Sequence, residues 1–241
     1  MGLHSIRFPN ESPSYRESRD QLLEAEMRLR KNIEEVAVLR RRLPLGGEVP
    51  EDYVFTEGAS GLSDTRTERK VRLSELFHPG QQTLAIYSYM FGPNMKEPCT
   101  SCTSILDGLN GTSPHLNDRI SFVVVAKSPI QRIRDVARER GWNHLRLLSS
   151  EGNTYNHDYQ GENAKENQTP ALNIFTRRDG KIYHTYNTEL LFAAKEPGQD
   201  GRHVDMLWPL WNLFDFTPEG RGTNWYPKLR YAESGELPKL P

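Results

Sequence analysis

The chain has 241 residues, of which 26% are charged and 36% hydrophobic, enough to bury a core beneath a very polar surface. With 31 basic against 32 acidic side chains the net charge is -1, which gives no argument for a nucleic-acid, acidic-membrane or strongly charged partner. The start has no apolar stretch of signal-peptide length and no run approaches the ~18 apolar residues of a membrane span, so a cytoplasmic protein with no membrane contact is expected.

Residues 1–13 read as a loose arm. From Ser14 to about Leu43 the sequence is charged and helical, with Leu22, Ala25, Leu29, Val36, Leu39 and Leu43 at alternating steps of three and four once Asn32, the polar exception, is counted in the stripe. Such a stripe packs either on its own domain or on a second copy of the chain, and a homodimer is the expected assembly. Pro44, Gly46, Gly47 and Pro50 end the helix and form a linker. Short extended segments follow at Asp52–Glu57 and Lys70–Leu73, then one helical turn over Leu73–Phe77.

Leu84–Met90 reads as a largely apolar strand. It leads into Phe91-Gly-Pro-Asn-Met-Lys-Glu-Pro-Cys-Thr-Ser-Cys102, which contains both cysteines of the protein. A helical segment, Thr103–Leu109, leaves this stretch and is expected to stop at Asn110-Gly111, with a loop over Gly111–Asp118. Ile120–Ala126 is β-branched and nearly continuous, as in a strand buried on both faces. The next helix has Ser128 as its expected cap, Pro129 at its first position and Gly141 at its exit. Leu145–Leu148 is a third core strand.

Residues 149–168 are polar and read as a long loop, a kind that is often functional in compact domains. Ala171–Thr176 and Lys181–Tyr186 form a hairpin about Asp179-Gly180. Arg202–Phe214 reads as a closing helix kinked at Pro209, and residues 217–241 as an irregular tail.

Strands alternating with helices give a parallel sheet with right-handed crossovers, to which the hairpin adds an antiparallel edge. The expected fold is therefore α/β and thioredoxin-like, a central mixed sheet flanked by helices with an N-terminal helical extension. Its parts are the arm and helix over 1–50, the core domain over 51–216 and the tail. This order places Thr169-Pro170 before the first hairpin strand, where such folds usually carry a cis proline facing the cysteines.

Met90–Gly111 as a whole resembles the family called DUF899, a thioredoxin-like group. So do Pro114-His-Leu-Asn-Asp-Arg119, Ser150-Glu-Gly-Asn-Thr-Tyr-Asn156 and the hairpin running into Thr188-Glu-Leu-Leu191. The resemblance implies a thioredoxin-like fold and a dithiol–disulfide oxidoreductase role, and supplies no substrate.

The residues support the same chemistry by themselves. In a cytosolic chain a Cys-x-x-Cys pair is more often catalytic or metal-binding than a structural staple. Cys99 at a helix N-terminus meets unpaired N–H groups and the positive end of the helix dipole, which favour a thiolate. It is the candidate attacking thiol and Cys102 the resolving one, with no cofactor required and a thiol or disulfide as substrate, protein or small molecule. Glu97 would oppose a low pKa if it points inward and Lys96 would favour one. Tyr155 and His157 in the long loop are candidates to wall a substrate pocket over Cys99, and Thr169-Pro170 to present backbone to the substrate.

Three alternatives stand beside this reading. The cysteines with His115, His157 or His184 could hold copper or zinc. The thiols could be inert within a non-catalytic binding domain. Val71–Phe77 resembles the entry to the peroxiredoxin fold, but those enzymes carry a threonine three residues before the reactive cysteine, where this chain has Lys96.

Overall fold

In a computed structural model, residues 3–231 are described. The chain divides into two units, Met1–Pro44 and Leu45–Pro241. The first is built on α1, Pro13–Arg41, whose N-terminus is capped by Ser12 Oγ accepting from the Tyr15 N–H at 3.1 Å. No residue of α1 is buried: Leu29 is 59% and Leu39 64% exposed, although both lie on the apolar stripe.

The second unit is a seven-stranded mixed sheet in the order β2-β1-β5-β4-β3-β6-β7. The strands are β1 (Val54–Gly58), β2 (Glu68–Arg72), β3 (Thr83–Ser88), β4 (Ser121–Ala126), β5 (Leu147–Ser149), β6 (Ala171–Arg178) and β7 (Lys181–Asn187). The two most apolar strands, β3 and β4, pair parallel in the middle, β5 joins β4 in parallel, and β6 runs antiparallel to β3. A segment flanked on both sides has no edge to shield, so the near-continuous hydrophobic runs belong at the centre. At Asp179-Gly180 both residues have positive φ, 50° and 76°, the backbone of a tight hairpin turn. The fold is thioredoxin-like with an N-terminal helix.

Alternation along β3 and β4 splits the core in two. Ala85, Tyr87, Phe122 and Val124 face one cluster, which the helices α2 (Thr100–Asn117) and α3 (Ile130–Arg140) cover through Cys102, Ile105, Leu106, Ile130 and Ile133. Leu84, Ile86, Val123 and Val125 face the other, with Tyr53, Leu73, Tyr155 and Phe175. The turn Leu73–Leu76 supplies two fully buried leucines there.

Several local expectations are corrected. The cysteine helix does not stop at Asn110-Gly111 but runs to Asn117, with Pro114 inside it. A helical glycine costs only about 1 kcal/mol, and Leu109 and Ser113, on either side of it, are buried. Ser128 does not cap α3: the N-cap is Pro129, and the Ser128 hydroxyl donates to Gly92 O while accepting from Arg132. Gly141 does end α3, in the left-handed conformation at φ 70°. The long polar loop contains a short helix, α4 (Tyr155–Asp158), and a bridge between Glu162 and Gln168.

The closing helix is shorter than expected. Pro209 begins α5 (Pro209–Phe214) after a separate 3-10 turn, Asp205–Leu207, as a residue without an N–H suits a first helical position. The glycine linker is also more than a spacer. Gly47 O accepts from His184 N–H and Val49 N–H donates to Ile182 O, so this stretch adds to the free edge of β7. The fit is close enough that a Cβ on Gly46 would meet the His184 carbonyl oxygen at 1.9 Å.

Candidate functional site around Cys99 and Cys102

The site lies at the ends of β3 and β4 from which the helices leave. Cys99 is the N-cap residue of α2 in extended conformation, and its backbone N–H donates to Met90 O at 3.0 Å. Its carbonyl accepts from Thr103 N–H at 3.0 Å and from Thr103 Oγ1 at 2.8 Å, and Thr103 Oγ1 also meets Tyr89 Oη at 2.9 Å. The start of the helix is thus pinned to the residues that follow β3, Tyr89 and Met90. Both cysteines are free, Cys99 partly buried and Cys102 buried, and they approach to 3.8 Å.

The two thiols are driven apart electrostatically. The Cys99 thiol is lowered to about 6, first by the Cys102 thiol as donor and then by the backbone N–H groups of Cys102 and Ser101 and by the Ser101 side chain, against the opposing effect of burial. None of these reaches full cap geometry, but the dipoles aim at the sulfur. Cys102 moves up, because its proton is held against Cys99 and because it is buried. At pH 7 a thiol of pKa 6 is roughly nine-tenths ionised, so Cys99 is a thiolate and Cys102 is not. Glu97 does not interfere: its side chain is 64% exposed and turned toward Arg230 at 3.5 Å.

Arg132 on α3 fixes the segment between strand and helix. Its guanidinium donates to Pro93 O at 2.9 Å and Met95 O at 2.5 Å and lies over the Phe91 ring at 4.6 Å. Asp107 ties α2 to α3 by accepting from Arg140 and from Trp142 Nε1. A cavity of about 270 Å³ opens beside the segment, lined by Lys96, Pro98, Arg132 and Arg230 among others. The polar loop reaches the segment too. Gln168 packs so closely on Gly92 that a Cβ there would lie 3.1 Å from it, and Gln168 is held by Glu162, which pairs with Lys127.

Other residues singled out from the sequence lie elsewhere. Tyr155 does not wall a pocket over Cys99: it is fully buried in the cluster on the opposite face of the sheet, against Tyr53, Phe55 and Tyr159. His157, next to it on α4, is an exposed residue bonded to Asp158. Thr169-Pro170 stands at the cysteine end of the sheet, one step beyond the Ser88–Ala171 pair. Its peptide bond is trans, as are all among the described residues. Trans is the favoured isomer, and the loop is already held by Thr169 N–H on Gly161 O.

The metal set is not assembled. His115 lies thirteen residues beyond Cys102 on α2, about 20 Å along the axis at 1.5 Å per residue. His184 packs on Tyr159 and Phe175 across the sheet and bonds to Asn173. Among the described residues no three His, Cys, Asp or Glu side chains converge as a metal site. Sequence reasoning missed Arg132, Ser101, Gln168 and Tyr87. The alternation of β3 carried a signal for Tyr87 alone.

A family model described as "Bacterial protein of unknown function (DUF899)" matches residues 5–234. No curated protein matches the chain. Similar solved structures include the reduced 2-Cys peroxiredoxin of Plasmodium vivax, at 14% identity over 68% of this chain and 95% of that one, with a TM-score of 0.42. Mycobacterium tuberculosis AhpC gives 17% over 69% and 89%, with 0.41, and a peroxiredoxin-like protein from Aquifex aeolicus 14% over 60% and 75%, with 0.39. Likenesses this distant carry no argument about chemistry.

Proposed function

The chain belongs to the DUF899 family, whose description leaves the reaction open, and from the site itself we propose that it is a thiol–disulfide oxidoreductase. The observation that supports this best is the split between two adjacent thiols, with Cys99 lowered to about 6 at a helix N-terminus and Cys102 buried and protonated behind it. Cys99 thiolate attacks one sulfur of a substrate disulfide. The substrate S–S bond breaks, its electron pair leaves on the other substrate sulfur, and a mixed disulfide forms on Cys99. Cys102 then attacks Cys99 Sγ, closing the Cys99–Cys102 bond and expelling the second substrate thiolate, while the Cys102 proton ends on a substrate sulfur. The protein loses two electrons and the substrate gains two. Run backwards, the same steps oxidise a dithiol.

In this reading Thr169-Pro170 lines the substrate's approach from the neighbouring sheet end, and the cavity beside Pro98 takes groups flanking the substrate sulfur. The substrate is a thiol or disulfide, protein or small molecule. The protein acts in the cytoplasm as a homodimer joined through the α1 stripe.

The test is reduction of a model disulfide by the reduced, metal-free protein. Wild type should release two thiols per chain and Cys99→Ser none. No release from wild type, or unchanged release from Cys99→Ser, would sink the reading.

A further inference from the structure

Tyr87 projects from β3 into the cluster that contains Cys102 and is completely buried. Its hydroxyl has no hydrogen-bond partner among the described residues. Tyr89, two residues on and facing the same way, does have one in Thr103. Burying a phenol hydroxyl unpaired forfeits its hydration, and phenylalanine would fill the same space without that cost. Cys102 acts on this hydroxyl most strongly, near enough to be felt as a hydrogen-bonding side chain but short of full bond geometry, and Cys99 and Tyr89 follow it. A neutral thiol is a weak acceptor, whereas a thiolate accepts a strong, charge-assisted bond.

We propose that Tyr87 is a positioning residue, a donor reserved for Cys102 in its thiolate form, whose Oη–H···Sγ bond is made only while that sulfur carries charge. The assignment rests on the thiol–disulfide reading above and names what stabilises its second step. Charge reaches Cys102 when it gives its proton to water and attacks Cys99 Sγ. The Cys102–Cys99 bond then forms as the Cys99–substrate bond breaks, and the electron pair departs on the substrate sulfur, which takes up a proton from water. Tyr87 keeps its own proton throughout, because burial holds its phenol well above the usual range. The other groups acting with Cys102 are Cys99 itself, the Met90 backbone and Tyr89. Tyr89 is committed to Thr103, which leaves Tyr87 as the uncommitted side-chain donor among them.

The experiment is stopped-flow reaction of the reduced protein with 5,5′-dithiobis(2-nitrobenzoate). This reagent separates the steps, because Cys99 attack releases the first equivalent of coloured thiolate and Cys102 attack the second. In Tyr87→Phe the first phase should keep its wild-type rate. The second should slow roughly tenfold to a hundredfold, the effect of losing one hydrogen bond to a charged sulfur, with its pH dependence moved upward. A second phase that is unchanged, or both phases slowed alike, overturns the assignment. Should Tyr87→Phe fail to fold, difluorotyrosine installed at position 87 is a stronger donor of nearly the same shape. It should speed the second phase alone, and an unmoved second phase overturns the assignment. Failure of the underlying reading looks different: wild type itself then releases no second equivalent, and both fall together.

Discussion

Replacing Cys102 by alanine tests the electrostatics of the site most directly, because the Cys102 thiol is the largest contributor to the depressed pKa of Cys99. A hydrogen bond to a charged group is worth about 1.5–3 kcal/mol. At 1.36 kcal/mol per unit this is roughly one to two pKa units. The Cys99 midpoint should therefore rise from about 6 to about 7–8, with Cys102→Ser falling in between because serine still donates. The assay is the rate of iodoacetamide alkylation against pH, read on Cys102→Ala, where Cys99 is the single thiol left, and on wild type, where buried Cys102 stays protonated. The sign is fixed by the chemistry: only thiolate reacts, so rate climbs with pH through the midpoint and then levels off. At pH 7 the ionised fraction should fall from roughly nine-tenths to between about a tenth and a half. A wild-type midpoint at the ordinary thiol value of about 8.5, or superimposable wild-type and alanine profiles, would refute the account of the site given above.

Three further outcomes follow from the geometry. Arg132→Ala removes the donors to Pro93 O and Met95 O, and should slow the first step with a model disulfide about tenfold, by roughly 1.4 kcal/mol of lost positioning. Amide exchange should speed up across residues 92–98, and unchanged exchange there would contradict the clamp. Asp107→Ala strips both Arg140 and Trp142 of their shared acceptor and should cost about 2–3 kcal/mol in urea unfolding; a loss under 0.5 kcal/mol would show that the α2–α3 tie is idle. For the dimer, light scattering of wild type should give twice the chain mass of 27.7 kDa. The double substitution Leu29→Glu with Val36→Glu should halve it, whereas a wild-type mass of one chain would end the proposal.

The sequence read best where one kind of interaction decides the structure by itself. The β-branched run at Phe122–Val125 has no polar position to expose, so it reads as a central strand and is one. Asp179-Gly180 reads as a turn because both residues tolerate positive φ, which they adopt. Reading failed where long-range packing outweighs a local signal. Asn110-Gly111 looks like a stop, yet Leu109 and Ser113 are buried on either side of it and the helix continues through. Tyr155 sits in a polar stretch that looks like surface loop, but Tyr53, Phe55 and Phe175 surround it from sequence positions far away. The same blindness applied to the histidines. Nothing local says that His184 faces the cluster away from Cys102, since which face a strand residue takes depends on register with β6 and on the bulge at Ile174/Phe175.

What makes Cys99 reactive is as much what α2 lacks as what it has. A helix N-terminus leaves backbone N–H groups without partners and carries partial positive charge. In α1 a conventional cap answers this demand, the Ser12 hydroxyl accepting from Tyr15. In α2 no side-chain oxygen does so, and the first turn holds no acidic residue. Glu97, the nearest carboxylate in sequence, is turned out toward Arg230 and solvent. The positive end of α2 is therefore left to the sulfur of Cys99, which satisfies it only as an anion. Local stability of the helix start and ionisation of the thiol are then one requirement, and Cys102 one turn on adds a donor from inside the same helix. A Cys-x-x-Cys pair in a capped or acid-led helix would have the same spacing without this coupling, so the missing cap acts together with the Cys102 donor to make Cys99 the nucleophile.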